Sequence, residues 1–511
     1  MSVVGREIKK HLNPNNRLSK ETVTKDFDQI KQILQNTYDA IIIQAKTVEE
    51  EEKLKEEELR QEKLEEAQKL LETKEHPLVY IASVVSWLTA GERKNIMLTF
   101  IAYCSQVILR NPISVIGLGE GASGKTHIEE VAMSLIPSKY IRHEKSVTEA
   151  AMFNRAKEDP FYYDGCIVNY GDLGGYKSQD FIMQAKNLLK ELQSDGFLNK
   201  PLNIPTKDEG WVVEDITLYG RPALTYTTVP GFKFDDQEMS RSIFITPRMD
   251  NKAVFNARKK ILGLKLGRTY QSVDYYKKES ENVKYIVELL REKTEELEII
   301  NPYGQSIIDF LGESEYFKRD FDKYNGILLT ITAFNSFNRQ TYEMNGKKVL
   351  FTSLQDIQIF VSLLESYHRS ISVNISPKAA EILNDYECNK DDWITNRKIS
   401  EYGITINEFV ELTKSKLSKR SVRRYFSELN SAGFLKVTDK KGQANVYDLT
   451  EKTVPDFGNL LKLDEKDREL IKWELGPEAL RFIQEDVEFK GLTISLNDPV
   501  VDVPGWEVED V

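Results

Sequence analysis

The chain has 511 residues, more than one hydrophobic core usually organises, so we expect two or three domains with accessory segments. Hydrophobic residues make up 40% and charged residues 30%, which excludes a disordered or collagen-like chain and indicates a helix-rich globular protein. Cys104, Cys166 and Cys388 lie far apart without a CxxC pair, which supports neither a disulfide framework nor a zinc site. No run reaches the roughly 18 apolar residues of a membrane span, and no signal-type apolar region is present, so we expect a cytoplasmic protein without membrane contact.

The net charge of −11 is distributed unevenly along the chain. Residues 49–75 contain twelve acidic and six basic residues, and residues 485–511 contain eight acidic and one basic. Residues 411–445 have the opposite balance, with nine basic and three acidic residues. A local basic patch in an acidic chain is the kind of feature that nucleic-acid binding requires.

The N-terminal part, residues 1–76, has helical patterns throughout. Residues 27–43 are amphipathic, and the acidic stretch that follows consists of strong helix formers. Its leucines do not hold one heptad register, so we interpret it as a solvated helix, with a coiled coil as the alternative. The helix should end at His76, because Pro77 disfavours helix in the residue before it. From there to about residue 262, helical and strand patterns alternate, which predicts a parallel α/β sheet.

A phosphate-binding motif follows the first predicted strand. Residues 119–126 read GEGASGKT and match G-x-x-x-x-G-K-[ST], with a β-prone run before them and a helical pattern after them. In such a loop backbone N–H groups point at phosphate oxygens, the lysine reaches the β and γ oxygens, and the last hydroxyl ligates Mg²⁺. The predicted ATP and Mg²⁺ ligands are Gly119, Gly121, Ser123, Gly124, Lys125 and Thr126.

A catalytic carboxylate is expected at the end of a neighbouring strand. The candidate segment is residues 166–175, CIVNYGDLGG, in which Asp172 stands at the strand end. Asp172 would hold Mg²⁺ through water or polarise the attacking water. The alternative is an aspartate that merely forms the turn, with Asp164 as a weaker substitute in the catalytic role.

The next segments predict a β-hairpin, a polar strand end and an exposed arginine. Residues 197–217 are β-prone and are interrupted at 206–210 by TKDEG, which indicates a hairpin tip. The strand at 222–229 ends in Thr225, Thr227 and Thr228. Arg241 precedes the strand at 242–246, where it would either reach across a subunit boundary to a transition state or form an ordinary surface ion pair.

Residues 404–450 have the pattern of a winged helix. A first helix is predicted at 406–412 and a second at 419–432, capped by Ser418 and followed by a hairpin. The basic residues of the second helix and the wing would contact DNA phosphates, although winged helices also bind proteins. These candidate DNA-binding residues are Lys419, Arg420, Arg423, Arg424, Lys440 and Lys441.

The ordered motifs GEGASGKT, VNYGDLGG, LLKELQSDGFL, PALTYTTV and DDQEMSRSIFITPR resemble the helicase-type AAA+ ATPase module of phage and mobile-element primase-helicase replication proteins. That module is itself similar to minichromosome-maintenance and superfamily 3 helicases. The resemblance implies an α/β fold with a P-loop AAA+ core. In order, the implied domains are an N-terminal helical region (1–76), the ATPase core (77–262), a helical lid (263–390), a winged-helix domain (391–452) and an acidic tail (453–511).

The resemblance also implies roles for single residues. These are phosphate and Mg²⁺ binding for Lys125 and Thr126, the Walker B position for Asp172, a sensor position for Thr228, the arginine finger for Arg241 and a second sensor for Arg319. A hairpin in the central pore of related hexamers grips DNA with a basic residue, and the candidates here are Lys207 and the nearby Lys200 and Lys233. The chain departs from the pattern at Gly171-Asp172, where an Asp-Glu pair is usual. It also lacks primase motifs, which implies that a primase would be a separate partner.

Three functions follow from these observations. The first is an ATP-dependent DNA helicase or translocase that acts as a homo-hexameric ring in the cytoplasm of a bacterial host, with single-stranded DNA in the pore and duplex at the winged helix. The second is an ATP-switch replication initiator or helicase loader that binds DNA without unwinding it. The third is an ATPase of a defence or regulatory complex that docks through its acidic N-terminal helix and C-terminal tail.

Overall fold

The computed structural model divides into two units, Met1–Glu65 and Glu66–Val511. It describes residues 20–74, 76–89, 92–119, 121, 123–145, 147–173, 180–206, 210–229, 234–247, 270–304, 307–308, 317–344, 346–371, 377–413, 418–432, 434–442, 444–450, 469 and 472. Apart from residues 469 and 472, the expected acidic tail (453–511) therefore lies outside the described residues, as do Lys207 and Lys233 of the hairpin prediction. None of the helices that the structure describes is long and apolar enough to cross a membrane.

The predicted N-terminal helix is present as α1, Lys20–Thr73. Leu54 and Leu59 are exposed, as expected of a solvated helix, but Leu64, Ala67 and Leu71 are buried, so the expectation fails for the C-terminal part of the helix. The predicted break at Pro77 is also found, because helix α2, Pro77–Leu88, begins at this proline. Proline suits the first position of a helix, where no intrahelical partner exists for the N–H that it lacks.

A mixed α/β region with a five-stranded parallel sheet follows, which confirms the sequence prediction at this level. The strand order across the sheet is β2-β3-β6-β1-β7. The helices of this region are α3 (Arg93–Leu109), α4 (Lys125–Ser134), α5 (Glu149–Glu158), α6 (Asp180–Asp195) and α7 (Asp236–Arg241). The sheet strands are β1 (Ser114–Leu118), β2 (Ile141–His143), β3 (Ile167–Asp172), β6 (Ala223–Thr228) and β7 (Ser242–Ile245).

One expectation about this sheet is wrong. The strand that carries Asp172 is not the neighbour of the strand that enters the phosphate loop, because β6 pairs with both β3 and β1 and lies between them. Strand order depends on long-range pairing, which the local pattern of apolar residues does not encode. The carboxyl ends of β1, β6 and β3 still meet at the same edge, because all three strands run in the same direction.

The predicted β-hairpin is present between α6 and β6. Strands β4 (Phe197–Thr206) and β5 (Gly210–Tyr219) pair antiparallel along their whole length, from Phe197 opposite Tyr219 to Thr206 opposite Gly210. The hairpin forms its own two-stranded sheet. A single residue, Gly196, separates the end of α6 from the hairpin, so α6 leads directly into it.

Residues 270–371 are mostly helical, as predicted, but they also contain a small sheet that sequence analysis missed. Its strands β8 (Leu297–Ile300), β9 (Tyr342–Met344) and β10 (Lys347–Phe351) are only three to five residues long. Runs this short show no clear alternation between polar and apolar residues. The helices of this segment are α8 (Tyr270–Glu295), α9 (Phe317–Ala333) and α10 (Leu354–Ile371).

The main hydrophobic core surrounds α3. Residues Ile96–Ile108 of this helix are all buried, and they belong to one core with Ile113 and Val115, with α4, and with apolar residues of α8, α9 and α10. A helix that is buried on all sides carries apolar residues on every face, which is why the sequence of α3 shows little amphipathic pattern. The core packs against the sheet and includes residues of both β1 and α4, which flank the phosphate loop.

The C-terminal module comprises residues 377–413, 418–432, 434–442 and 444–450 and has a separate core. Its elements are α11 (Pro377–Thr395), β11 (Ile404–Thr405), α12 (Ile406–Leu412), α13 (Lys419–Ser431), β12 (Leu435–Lys441) and β13 (Ala444–Leu449). The three strands form an antiparallel sheet in the order β11-β13-β12. The helix-helix-hairpin succession predicted from the sequence is therefore present.

Candidate functional site

The phosphate loop connects the end of β1 to the start of α4. Gly119 donates its backbone N–H to the carbonyl of Thr228 at 3.2 Å, and a Cβ at this position would lie 2.5 Å from Ser123 Oγ. Gly124, at the N-cap of α4, has a φ of +95°, which side chains other than glycine rarely tolerate. Gly121 is exposed and has open space where a Cβ would be. The loop thus turns tightly at its ends and exposes Gly121 to solvent.

Lys125 and Asp172 come together at the carboxyl edge of the sheet. Lys125 Nζ lies 3.5 Å from Asp172 Oδ2 and donates to the carbonyl of Gly119 at 3.3 Å. The lysine is 5% exposed, whereas the aspartate is half exposed. The cation is therefore held inside the loop, and the carboxylate faces the opening. Thr126 is exposed at the second position of α4, next to this pair.

Three buried hydroxyls line the same edge without a hydrogen-bond partner among the described residues: Ser123 Oγ, Thr227 Oγ1 and Thr228 Oγ1. A buried hydroxyl that makes no hydrogen bond is costly, so such groups usually have a ligand or water to bond. They lie with the ammonium of Lys125 at the carboxyl edge of the sheet, where Thr227 and Thr228 are successive residues of β6 and so occupy opposite faces of that strand. This donor set fits a triphosphate, whose oxygens only accept hydrogen bonds, and the adjacent carboxylate and Thr126 hydroxyl are oxygen ligands of the kind Mg²⁺ prefers.

Glu129 is a site residue that sequence analysis missed. It lies on α4 one turn after Lys125, is buried, and accepts a hydrogen bond from Thr225 Oγ1 at 2.7 Å. Thr225 is in turn hydrogen-bonded to the Tyr103 hydroxyl at 2.8 Å. Burial raises the pKa of Glu129 to about 7, although the hydrogen bond from Thr225 lowers it. The i,i+4 spacing to Lys125, which puts both side chains on the face of α4 that meets the sheet, could have revealed it.

This raised pKa predicts an effect on stability. The pKa of Glu129 rises from 4.5 to about 7 on folding, so the folded state holds a proton that the unfolded state releases. Its stabilising contribution is complete below pH 4.5 and is lost as the pH rises through 7, in total about 3 kcal/mol. We expect Glu129→Gln to remove this dependence, so that chemical unfolding at pH 5 and pH 8 differs less in the variant than in the wild type. Parallel pH profiles for the two proteins would contradict the assignment.

Arg241 and Arg319 lie together at the opposite edge of the sheet. Arg241 ends α7, and the next residue, Ser242, pairs with Ser114 at the start of β1. Its guanidinium is half-buried and donates to the carbonyl of Lys190 at 3.1 Å, while Arg319 donates to Ser240 Oγ at 2.9 Å. Burial, and then the charge of Arg319, lower the pKa of Arg241. The length of β1, about 13 Å, separates this edge from the phosphate loop of the same chain.

The predicted DNA-binding residues fall into two places. Lys200, on β4, forms an ion pair with Glu149 of α5 and lies over the ring of Phe153, so its charge is engaged within the chain near the base of the hairpin. In the C-terminal module, Val422, Phe426 and Leu429 of α13 face the core. The predicted basic side chains of α13 and β12 are exposed: Lys419, Arg420, Arg423, Arg424, Lys440 and Lys441. Among these, Lys441 pairs with Glu408 at 2.8 Å.

Comparisons with known proteins identify a structural neighbour but no family. No protein-family model matches the sequence, and no curated protein matches it. Among solved structures, the full-length MCM homolog from Methanopyrus kandleri matches with a TM-score of 0.37 and 13% sequence identity. The match covers 60% of this chain and 62% of that one, so the chain spans less than two thirds of the length of this neighbour.

Proposed function

We propose that the chain is an ATP-dependent DNA translocase or helicase that works as a ring of identical subunits. The observation that carries the proposal is the convergence of Lys125, Asp172 and the unpartnered hydroxyls of Thr227 and Thr228 at one edge of the parallel sheet. Arg241 is held at the opposite edge. One chain would thus supply the residues for a triphosphate at one edge of the sheet and the Arg241 guanidinium at the other.

In the proposed reaction, ATP binds with its phosphates along the 119–126 loop. Lys125 holds the β and γ oxygens, and Thr228 donates to the γ-phosphate as its sensor. Thr126 and Asp172 would hold Mg²⁺, which would neutralise part of the negative charge of the phosphates. Asp172 is also the carboxylate that orients the attacking water, since it is the exposed member of its pair with Lys125. Gly121, Ser123 and Gly124 complete the phosphate cradle.

Arg241 serves the phosphate loop of a neighbouring subunit in this proposal, because the two lie at opposite edges of the sheet in one chain. A guanidinium at the γ-phosphate stabilises the charge of the transition state. Arg319, fixed to the same helix through Ser240, would add a second positive charge to that site. Two arginines side by side repel each other, and an anion between them relieves the repulsion.

DNA would be bound by two parts of each subunit. The β4–β5 hairpin would enter the pore, with Lys207 as the residue that grips single-stranded DNA. The C-terminal module contains the proposed winged-helix domain (391–452), whose helix α13 would meet duplex with the exposed Arg420, Arg423 and Arg424. Residues 263–390 would be the helical lid of the 77–262 core, and residues 1–76 an accessory helical region.

Steady-state phosphate release tests the proposal. We expect hydrolysis of ATP with Mg²⁺ to be several-fold faster with single-stranded or forked DNA than without it, and unwinding of the fork to depend on ATP. Turnover that is indifferent to DNA would contradict a motor. It would favour the second candidate, an ATP-switch initiator or loader, for which the basic face of α13 and the engagement of Lys200 by Glu149 are the supporting observations.

A further inference from the structure

The starting point is the position of α6, which links two parts of the proposed motor. Its C-terminus leads into the β4–β5 hairpin, and its Gln193 donates to Ser114 Oγ at the amino edge of the sheet at 3.1 Å. Arg241 occupies this same edge, since the residue after it pairs with Ser114. The helix that leads into the hairpin therefore reaches the same edge of the sheet as Arg241.

Four contacts join α6 to α7 and the residue that caps it. Lys186 forms an ion pair with Glu238, and Lys190 forms ion pairs with Asp235 and, at 4.0 Å, with Glu238. The backbone carbonyl of Lys190 also accepts the hydrogen bond from the Arg241 guanidinium at 3.1 Å. Lys190 thus contacts α7 through both its side chain and its backbone, at the two ends of a helix only six residues long.

The Lys186–Glu238 pair is fully inside the protein. Lys186 is 0% and Glu238 7% exposed, and the Tyr226 hydroxyl donates to Glu238 Oε1 at 2.7 Å. Burial lowers the pKa of Lys186, and the adjacent Glu238 opposes that effect. A buried ion pair adds little net stability compared with two apolar side chains of the same volume, because both charges lose their hydration. Such a pair instead favours one orientation of α7 relative to α6, because its charges are satisfied only when Lys186 and Glu238 face each other.

A six-residue helix has no stability of its own, and its orientation follows its contacts. Asp235 and Glu238 form a capping box at its start, so the two carboxylates that define the helix are also the two that receive the α6 lysines. A displacement of α6 along its axis would therefore move α7 and the Arg241 guanidinium with it.

We propose that Lys186 and Lys190 are positioning residues that couple DNA engagement at the β4–β5 hairpin to the placement of Arg241 at the neighbouring subunit's ATP. The inference rests on the proposed function and identifies how DNA would regulate it. DNA that pulls or pushes the hairpin shifts α6, and the lysine contacts transmit that shift to α7. Lys186, Lys190, Asp235 and Glu238 are not among the residues proposed to bind the nucleotide.

The test compares DNA stimulation of ATP hydrolysis in two variants with the wild type. Lys190→Met removes the ion pair to Asp235 but keeps the backbone carbonyl that holds Arg241. The double variant Lys186→Met, Glu238→Gln replaces the buried pair by neutral side chains of similar size and leaves no unpaired charge. We expect the ratio of hydrolysis with DNA to hydrolysis without it to fall from several-fold to about one in each variant. The KM for ATP and the affinity for single-stranded DNA should stay at wild-type values.

Two control variants separate coupling from general damage. Lys190→Arg keeps the charge and should retain the stimulation, and Glu191→Gln removes an exposed charge from the same helix and should behave as wild type. Full stimulation in Lys190→Met and in the double variant would overturn the inference, as would an equal fall in the basal and stimulated rates. A wild-type protein that DNA does not stimulate would instead overturn the proposed function, and the coupling with it.

Discussion

Lys125→Ala is expected to lower ATP hydrolysis by about three orders of magnitude. Lys125 is the cation at the centre of the site, with its ammonium 3.3 Å from the Gly119 carbonyl and 3.5 Å from Asp172. Without it, the charge that develops on the phosphate oxygens has no counter-charge from the loop. Phosphate release at saturating ATP measures the effect.

The matched control for this variant is Lys139→Ala. Lys139 is half exposed and pairs with Glu288 at 3.0 Å, so the substitution removes one lysine and one ion pair without touching the loop. Because Asp172 is half exposed, loss of its pair with Lys125 leaves no buried charge, and thermal stability should change little. Hydrolysis by Lys125→Ala at a rate near that of the control would show that ATP is turned over elsewhere.

Arg241→Ala is expected to lower hydrolysis by about 10³-fold, in the range found for fingers that act between subunits. A loss of this kind would also follow if Arg241 acted on its own chain or only supported the fold. The position of Arg241 at the amino edge of the sheet, with Lys125 at the carboxyl edge, makes the distinction testable. If Arg241 acts between subunits, two variants that are each inactive alone should regain ATP hydrolysis when they are mixed.

Mixing Lys125→Ala with Arg241→Ala provides that experiment. The Lys125→Ala variant keeps Arg241, and the Arg241→Ala variant keeps an intact phosphate loop. An interface between the two variants therefore contains one complete ATP site. We expect equimolar mixtures to recover a sizeable fraction of wild-type hydrolysis, and to lose it again on dilution below the concentration at which the oligomer forms. Mixtures that stay as inactive as their components at all concentrations would rule out action between subunits.

Local sequence predicted the parts of the site that depend on local structure. The motif at 119–126, the strand end at Asp172, the hairpin and the capped helix α13 all follow from turn, cap and periodicity rules, and each element is found where it was predicted. The order of the strands was not predictable in this way, because the insertion of β6 between β1 and β3 is decided by pairing across more than 50 residues.

Buried polar residues were the other part that the sequence did not reveal. Glu129 and Lys186 look like the surface charges of ordinary amphipathic helices, and only the packed structure shows that both are buried. Each is tolerated because a specific partner, Thr225 or Glu238, satisfies it. A single sequence records neither the partner nor the burial.

The position of β6 between β1 and β3 also determines how the site tolerates changes in the length of the loops that follow those two strands. Two successive carbonyls of this strand hold the two loops of the site, because Thr227 accepts the N–H of Leu173 at 2.8 Å and Thr228 accepts the N–H of Gly119 at 3.2 Å. The spacing between Lys125 and Asp172 is therefore set by one peptide unit of β6. Residues inserted after Leu173 would leave that spacing intact, whereas a single deletion within β6 would move both loops out of register at once.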